Sequence, residues 1–108
     1  MLKHTRQRDR LTVQLAGELD HCSALGIKNE LDRLIADPSL RHLTLDLSGL
    51  QFMDSSGIGV ILGRYRTLAA RGGSVAGQGM NPQIRRIFQL SGMGQIIRVA
   101  DQGREVIK

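Results

Sequence analysis

An aspartate followed by two serines is the segment of this sequence best suited to chemistry. Asp54-Ser55-Ser56-Gly57 places a carboxylate and two hydroxyls where an apolar strand pattern changes to a helical one. The first N–H groups of a helix have no partner within the helix, and the helix dipole is positive at that end. This position therefore accommodates a phosphate readily. The same side chains can also serve as an ordinary helix N-cap, and position alone leaves both interpretations open.

An enzyme active site is another interpretation of the same residues. Ser55 could act as a nucleophile with His21 as its base. Asp20 or Asp54 would then orient the histidine. The nucleophile elbow Gly-x-Ser-x-Gly is absent, however, because Met53 or Asp54 stands where its first glycine would be. We therefore expect a protein that is not an enzyme and has no catalytic residues.

Cofactor and metal sites are not indicated. Gly57-Ile58-Gly59 lies at a strand-to-helix junction, but Leu62 occupies the third glycine of the dinucleotide fingerprint, and no Gly-Lys-Ser/Thr triplet makes a phosphate loop. The three histidines share no ligand spacing. A single cysteine, Cys22, can form neither an internal disulfide nor a metal-binding pair. The sequence predicts no cofactor and no metal.

Alternating apolar residues predict the strands that must carry the Asp54 segment. Leu11, Val13 and Leu15 follow the period of two that is typical of a half-buried strand, and residues 4–8 can pair with it as a hairpin. A second strand pattern starts at Leu43 and leads through Met53 to Asp54. Shorter runs at 74–76 and 96–99 predict two further strands.

Helical spacing predicts the remaining elements. After Ser56, one apolar stripe repeats at helical intervals until Gly72-Gly73: Ile58, Ile61, Leu62, Tyr65, Leu68 and Ala69. An earlier helix ends before Pro38, a later one begins at the N-cap Asn81, and a short one follows Asp101. The alternation of strand and helix predicts an α/β fold: a mixed, largely parallel sheet of four to five strands with about four helices packed on it.

Size and composition fit one globular domain over residues 1–108. The chain has 108 residues, of which 41% are hydrophobic and 23% charged, and these values are close to those of folded globular proteins. No apolar run approaches the roughly 20 residues that span a bilayer, and the N-terminus lacks a signal-like apolar segment. We expect a cytoplasmic protein that does not associate with a membrane.

The basic charge raises the question of nucleic acid. The net charge is +5, yet the lysines and arginines are spread along the chain and only three residues are aromatic. Five arginines could mark a basic surface, although solvated helix faces explain them more simply: Arg64, Arg66, Arg71, Arg85 and Arg86. We expect no direct contact with nucleic acid, whereas an acidic protein partner fits the charge.

Small residues lie opposite the apolar stripe of the helix that follows Ser55. This strip consists of Ser56, Gly59, Val60, Gly63 and Thr67. Each glycine inside a helix costs about 1 kcal/mol relative to alanine, so some close approach should offset that cost. The approaching element is either a partner helix or another part of the same chain.

Three segments together resemble the bacterial anti-sigma factor antagonists with a STAS fold. They are Met53 to Tyr65, Gly17 to His21, and Leu90 to Gly92 continuing through Ile96 to Arg98. The resemblance spans nearly the whole chain in register and is strongest to the antagonists of the sporulation sigma F pathway. It implies a single STAS domain.

The resemblance also implies a partner-switching mechanism. The unphosphorylated form would bind an anti-sigma factor, which is a serine protein kinase, and would release the sigma factor to activate transcription. Phosphorylation by that kinase would switch binding off, and a serine phosphatase would reverse the modification. We expect the free protein to be a monomer. Two departures from the family are an unusually basic composition and an early end to the chain.

Site residues follow from the resemblance by position. The phosphoacceptor is Ser55, and Asp54 and the loop from Gly17 to Asp20 match the family's partner-contacting segments. Together with the strip on the helix, the predicted partner-binding set is Asp20, Asp54, Ser55, Ser56, Gly57, Gly59, Val60 and Gly63. A phosphoserine at a helix start should stabilise the domain, so we expect it to exclude the partner by bulk and by repulsion from an acidic group.

Overall fold

Residues 2–100 form one five-stranded sheet with three α-helices. The computed structural model describes residues 2–100, in the order β1 (His4–Gln7), β2 (Arg10–Leu19), α1 (Ala24–Leu34), β3 (His42–Met53), α2 (Ser55–Ala69), β4 (Ser74–Gln78), α3 (Pro82–Leu90), a 3-10 turn (Met93–Gln95) and β5 (Arg98–Ala100). The strands lie in sequence order across the sheet, with β1 antiparallel to β2 and every other neighbouring pair parallel. The predicted mixed, largely parallel sheet is confirmed.

The C-terminal part differs from the prediction. Three α-helices rather than about four are present in residues 2–100, and the helix predicted after Asp101 lies outside the described residues. The last strand begins at Arg98, not at Ile96. The reason is local, because the N–H groups of Ile96 and Ile97 both donate to the carbonyl of Met93 and close a 3-10 turn there.

The core lies on one face of the sheet. Leu11 pairs with Leu43 and Val13 with Leu45, and all four side chains are buried. Paired residues of neighbouring strands point to the same face, so these leucines and valines form one apolar surface. Each helix adds to the same cluster, with Leu31 from α1, Ile61 and Leu68 from α2, and Ile84 and Phe88 from α3.

The strands β2 and β3 extend past their neighbour β4 and carry the Asp54 segment. The pairing of β3 with β4 runs only from His42 to Asp46, whereas its pairing with β2 continues to Met53 opposite Leu19. Two register shifts occur along this pair, and Gly17 between them has a φ of +80°. The carboxyl ends of β2 and β3 therefore lie side by side, and the loops that follow them must meet.

The buried face of α2 differs from the predicted apolar stripe. Its innermost residues are Gly57, Val60, Ile61, Arg64 and Leu68, whereas Ala69 is exposed. Val60 is only 6% exposed, so its predicted place on the outer strip is wrong. A stripe defined by apolar residues alone leaves out Gly57 and Arg64. The predicted buried face of α2 was therefore turned away from the face that is buried in the structure.

The carboxylate of Asp37, just after α1, should make the stability of the fold depend on acid pH. Its Oδ1 accepts hydrogen bonds from the Ser39 N–H at 2.9 Å and the Ser39 hydroxyl at 2.8 Å, and its Oδ2 accepts from Arg6 at 2.9 Å. These bonds, that from the Ser39 N–H first, lower the pKa of Asp37 from 3.8 to about 2. A folded-state pKa below the unfolded value stabilises the fold above the unfolded pKa, and this contribution is lost as pH falls toward the folded pKa.

We therefore expect Asp37→Asn to lower the free energy of unfolding more at pH 6 than at pH 2, where the Asp37 carboxyl of the folded parent is already partly protonated. Urea denaturation followed by circular dichroism at the two pH values measures both differences. An equal difference between variant and parent at pH 6 and at pH 2 would contradict the assignment.

Candidate functional site

Asp54 is the N-cap of α2. Its Oδ1 accepts hydrogen bonds from the N–H groups of Ser56 at 2.8 Å and Gly57 at 3.3 Å, and its backbone is extended. These are two of the N–H groups that a helix start leaves without partners. The capping interpretation is thus confirmed for Asp54.

Ser55 takes no part in this cap. It is the first residue of α2 and is exposed. Within residues 2–100 its hydroxyl makes no hydrogen bond to another group. The Asp54 carboxylate thus closes the helix start, and the neighbouring Ser55 hydroxyl is left accessible.

The second oxygen of Asp54 reaches the loop between β2 and α1. Its Oδ2 accepts a hydrogen bond from the His21 N–H at 3.3 Å, and the Asp54 N–H donates to the carbonyl of Leu19 at 3.3 Å. One side chain therefore links the start of α2 to the loop of residues 20–23. The link brings two of the three sequence segments that resemble the antagonist family into contact.

Asp20 organises that loop from within. Its Oδ1 accepts hydrogen bonds from the N–H groups of Cys22 and Ser23, each at 3.0 Å, and its own N–H donates to the Ser23 hydroxyl at 3.1 Å. The bond from the Ser23 N–H is the main cause of a lowered pKa of the Asp20 carboxyl. The Asp20 carbonyl accepts from the Ala24 N–H at 2.8 Å, so this turn leads directly into α1.

The histidine of this loop is not hydrogen-bonded to Ser55 in the described residues. The exposed His21 ring contacts the neighbouring Cys22, with its Nε2 at 3.6 Å from the Sγ. No hydrogen bond joins His21 to Ser55 in the part of the chain that the structure describes. The arrangement of nucleophile and base that a serine hydrolase requires is not formed there.

Gly57 serves internal packing rather than a surface. It is buried, and an added Cβ would come within 2.6 Å of the Met53 Cγ and 2.7 Å of the Leu19 carbonyl oxygen. The absence of a side chain thus lets α2 approach the ends of β2 and β3. Gly57 and Val60 both point inward, so the prediction that they lie on a partner-binding surface is corrected.

Gly59 and Gly63 have open space beside them. Gly59 is exposed and Gly63 half-buried, and an added Cβ on either would meet no atom within 4 Å outside the helix backbone. Close packing by another part of residues 2–100 therefore does not account for these glycines. They form a line of small residues with Ser56 on one side of α2.

The prediction of a solvated helix face is wrong for Arg64, which is buried. Its Nε lies 3.1 Å from the Asp32 Oδ1 on α1. No spacing rule relates an arginine on one helix to an aspartate 32 positions earlier on another.

Among residues 2–100 no group of three or more histidine, cysteine, aspartate or glutamate side chains could hold a metal ion. Nor does this part of the chain contain a helix long and apolar enough to cross a membrane.

The family of the chain follows from these features and from sequence comparison. The family model described as the STAS domain matches residues 2–105. The chain belongs to the STAS domain family. The resemblance predicted from its three segments is therefore confirmed.

Relatives and a solved structure add detail. The anti-sigma F factor antagonist of Paenibacillus polymyxa is 42% identical over 94 residues, which are 87% of this chain and 80% of that protein. The antagonist of the same name from Lysinibacillus sphaericus is 38% identical over 87 residues, 81% of this chain and 74% of that protein. The phosphorylated form of SpoIIAA, a Bacillus cell fate determinant, matches with a TM-score of 0.75 and 31% identity over 98% of this chain and 95% of that chain.

The division of roles between Asp54 and Ser55 predicts unequal effects on stability. Asp54→Ala should lower the free energy of unfolding by about 1 kcal/mol, because the cap of α2 is lost. Ser55→Ala, its neighbour and control, should change it by less than about 0.5 kcal/mol, because the exposed hydroxyl has no hydrogen-bond partner among the described residues. Urea denaturation measures both, and a loss at Ser55 as large as that at Asp54 would refute the assignment of the cap.

Proposed function

We propose that this protein is an anti-sigma factor antagonist that is switched by phosphorylation of Ser55. The observation that carries the proposal is the accessible Ser55 hydroxyl beside the capped start of α2. It occurs in a chain 42% identical to a protein named as an antagonist of the anti-sigma F factor. A similar protein of the same fold is known in a phosphorylated form.

The proposed cycle has three steps. The unphosphorylated protein binds the anti-sigma factor, and the sigma factor is released to activate transcription. The anti-sigma factor is a serine protein kinase and transfers a phosphoryl group from ATP to Ser55, which ends the binding. A serine phosphatase removes the phosphate. The chain supplies the acceptor hydroxyl and a docking surface, and both chemical steps belong to its partners.

The docking surface combines the two linked loops with one side of α2. Asp20 shapes the loop before α1, and Asp54 joins that loop to Ser55. Ser56, Gly59 and Gly63 continue the surface along the helix, and the glycines leave room for a partner element to come close. The net charge of +5 favours an acidic partner.

The local geometry explains how a phosphate could act without unfolding the domain. A phosphoserine carries a charge of about −1.5 to −2 at neutral pH. At Ser55 the helix dipole favours this charge, whereas the adjacent Asp54 carboxylate already accepts two N–H groups of the first turn and repels it. Because Ser55 is exposed, the phosphate stands in solvent at the centre of the docking surface. The partner is then excluded by bulk and by charge.

The decisive experiment is phosphorylation by a candidate anti-sigma kinase with ATP, followed by mass spectrometry. We expect one modified residue, Ser55. Ser56→Ala is the matched control and should still be phosphorylated, whereas Ser55→Ala should not be and should bind the kinase constitutively. Ser55→Asp should bind at least about tenfold more weakly, equivalent to about 1.4 kcal/mol. Modification of Ser56 instead, or unchanged binding of a folded Ser55→Asp variant, would refute the proposal.

The glycine line provides a second test, which does not depend on catalysis. Gly63→Leu should weaken binding to the anti-sigma factor by at least about tenfold, which is 1.4 kcal/mol, because the side chain fills space meant for the partner. Its thermal midpoint should stay equal or rise, because leucine is the better helix former and the added Cβ meets no neighbour within 4 Å.

Ala69→Leu is the control for this test, because Ala69 is exposed at the far end of the same helix. It should bind like the parent in a calorimetric titration. Loss of folding in Gly63→Leu would instead indicate that Gly63 packs within the domain.

A further inference from the structure

We propose that Arg64 is a positioning residue for the Ser55 site, because its buried guanidinium pairs with Asp32 and fixes α1 against α2. The loop of residues 20–23 leads directly into α1, so the pair also sets where this loop lies relative to Ser55. The effect on partner binding rests on the function proposed above. The effect on the loop does not.

Arg64 is the single charged residue among the buried residues of the described chain. It is 7% exposed and lies on the inner line of α2 with Ile61 and Leu68. Transfer of a guanidinium from water into such a place is costly, and an apolar side chain of similar size would be buried at lower cost. Stability alone therefore does not explain an arginine at this position.

The partner of Arg64 lies on α1. The Arg64 Nε is 3.1 Å from the Asp32 Oδ1, and this is the one ion pair that joins α1 to α2 within residues 2–100. The other oxygen of Asp32 is 3.0 Å from the Lys28 Nζ on the same helix. The Lys28 side chain is 45% exposed and that of Arg64 only 9%, so solvent screens the lysine pair far more strongly.

The donors of Arg64 are incompletely used. Nε and Nη1 are buried and make no hydrogen bond to another group of the described chain, so the contact with Asp32 is an ion pair without hydrogen-bond alignment. The pair joins one atom of Arg64 to one atom of Asp32, so it links α2 to α1 at a single point. What it provides beyond apolar packing is a specific attraction between the two helices at this depth.

The position of the pair suits it to control the loop. Asp32 lies eight residues after the start of α1 and Arg64 nine residues after the start of α2. At a rise of 1.5 Å per residue the pair is about 12 Å from one helix start and about 14 Å from the other. The two helices follow parallel strands, and the pair lies at a similar distance from the start of each helix. The pair therefore keeps the two helix starts side by side at the same edge of the sheet.

Backbone hydrogen bonds connect the loop directly to α1. The Asp20 carbonyl accepts the Ala24 N–H at 2.8 Å, and the Ser23 carbonyl accepts the Ile27 N–H at 3.1 Å. The loop is thus held at one end by the Asp54 carboxylate, through the His21 N–H, and at the other by α1. Release of the Arg64–Asp32 pair should remove the ion pair between α1 and α2, whereas α1 keeps its apolar packing. The loop then keeps the 3.3 Å hydrogen bond at the His21 N–H and the 2.8 Å bond from the Ser23 hydroxyl to the Glu18 carbonyl.

The cysteine in this loop gives a direct readout. Cys22 is the sole cysteine of the chain and is exposed, so a nitroxide label attached there reports the mobility of the loop by electron paramagnetic resonance. Arg64→Met and Asp32→Asn should each shorten the rotational correlation time of the label at least about twofold, on the nanosecond scale of loop motion. Lys28→Met removes the exposed partner of the same carboxylate and should leave it unchanged.

A double-variant cycle guards against general destabilisation. Asp32→Asn leaves an unpaired buried cation, so its thermal midpoint should fall, whereas the combination with Arg64→Met removes that cation and should recover part of the loss. The label in the double variant should nevertheless stay mobile, because the pair is still absent. Recovery of both the midpoint and the label mobility would show a purely structural role and would overturn the proposal.

Kinetics with the anti-sigma kinase separate this proposal from the proposed function. With unlabelled protein, Arg64→Met should raise the KM for phosphorylation at Ser55 at least about fivefold with kcat within about twofold, because docking is affected and the acceptor hydroxyl is not. If the parent chain is not phosphorylated, the proposed function fails and the label experiment still decides the role of Arg64. Equal label mobility in Arg64→Met, Lys28→Met and the parent would refute the positioning role.

Discussion

The carboxylate of Asp54 joins the two chain segments from which the candidate site is built. One oxygen closes the start of α2 through Ser56 and Gly57, and the other accepts the His21 N–H from the loop before α1. A carboxylate has enough lone pairs for both tasks, and the helix dipole favours its charge at this position. Because the Asp54 carboxylate accepts the N–H groups at the helix start, the hydroxyl of Ser55 is not needed as a cap. The accessibility of this hydroxyl is thus a consequence of the cap beside it.

The sheet supplies the condition under which this bridge can form. β2 and β3 run parallel and end at the same edge, with Leu19 opposite Met53 and beyond the reach of β4. The helix that starts there must approach both strand ends, and Gly57 permits this because a Cβ would collide with Met53 and Leu19. The glycine on the inner side of α2 and the two glycines on its outer side therefore have different roles. Gly57 brings the helix onto the sheet, whereas Gly59 and Gly63 keep its outer side open.

The buried face of α2 shows where reasoning from residue type failed. Apolar spacing correctly located the helix, but it placed Val60 outside and Ala69 inside, and the structure reverses both. The true contact line includes Gly57 and Arg64, neither of which is apolar. Arg64 can lie there because its charge is paired with Asp32 of α1, a compensation that depends on a residue 32 positions away. The predicted start of the last strand was wrong for a different reason. A 3-10 turn at Met93 uses the N–H groups of Ile96 and Ile97 before the strand begins.

Local order along the chain was enough to define the alternation of strands and helices, the helix start at Asp54 and the family resemblance around it. These features depend on residues close together in sequence, where periodicity, capping and turn preferences act directly. The separation of roles between Asp54 and Ser55, the contact of the His21 loop with the α2 start and the Arg64–Asp32 pair required the folded arrangement. Each joins or distinguishes groups through contacts between elements, and the register of β2 on β3 and the depth of α1 against α2 set those contacts. Neither quantity is encoded in any single segment.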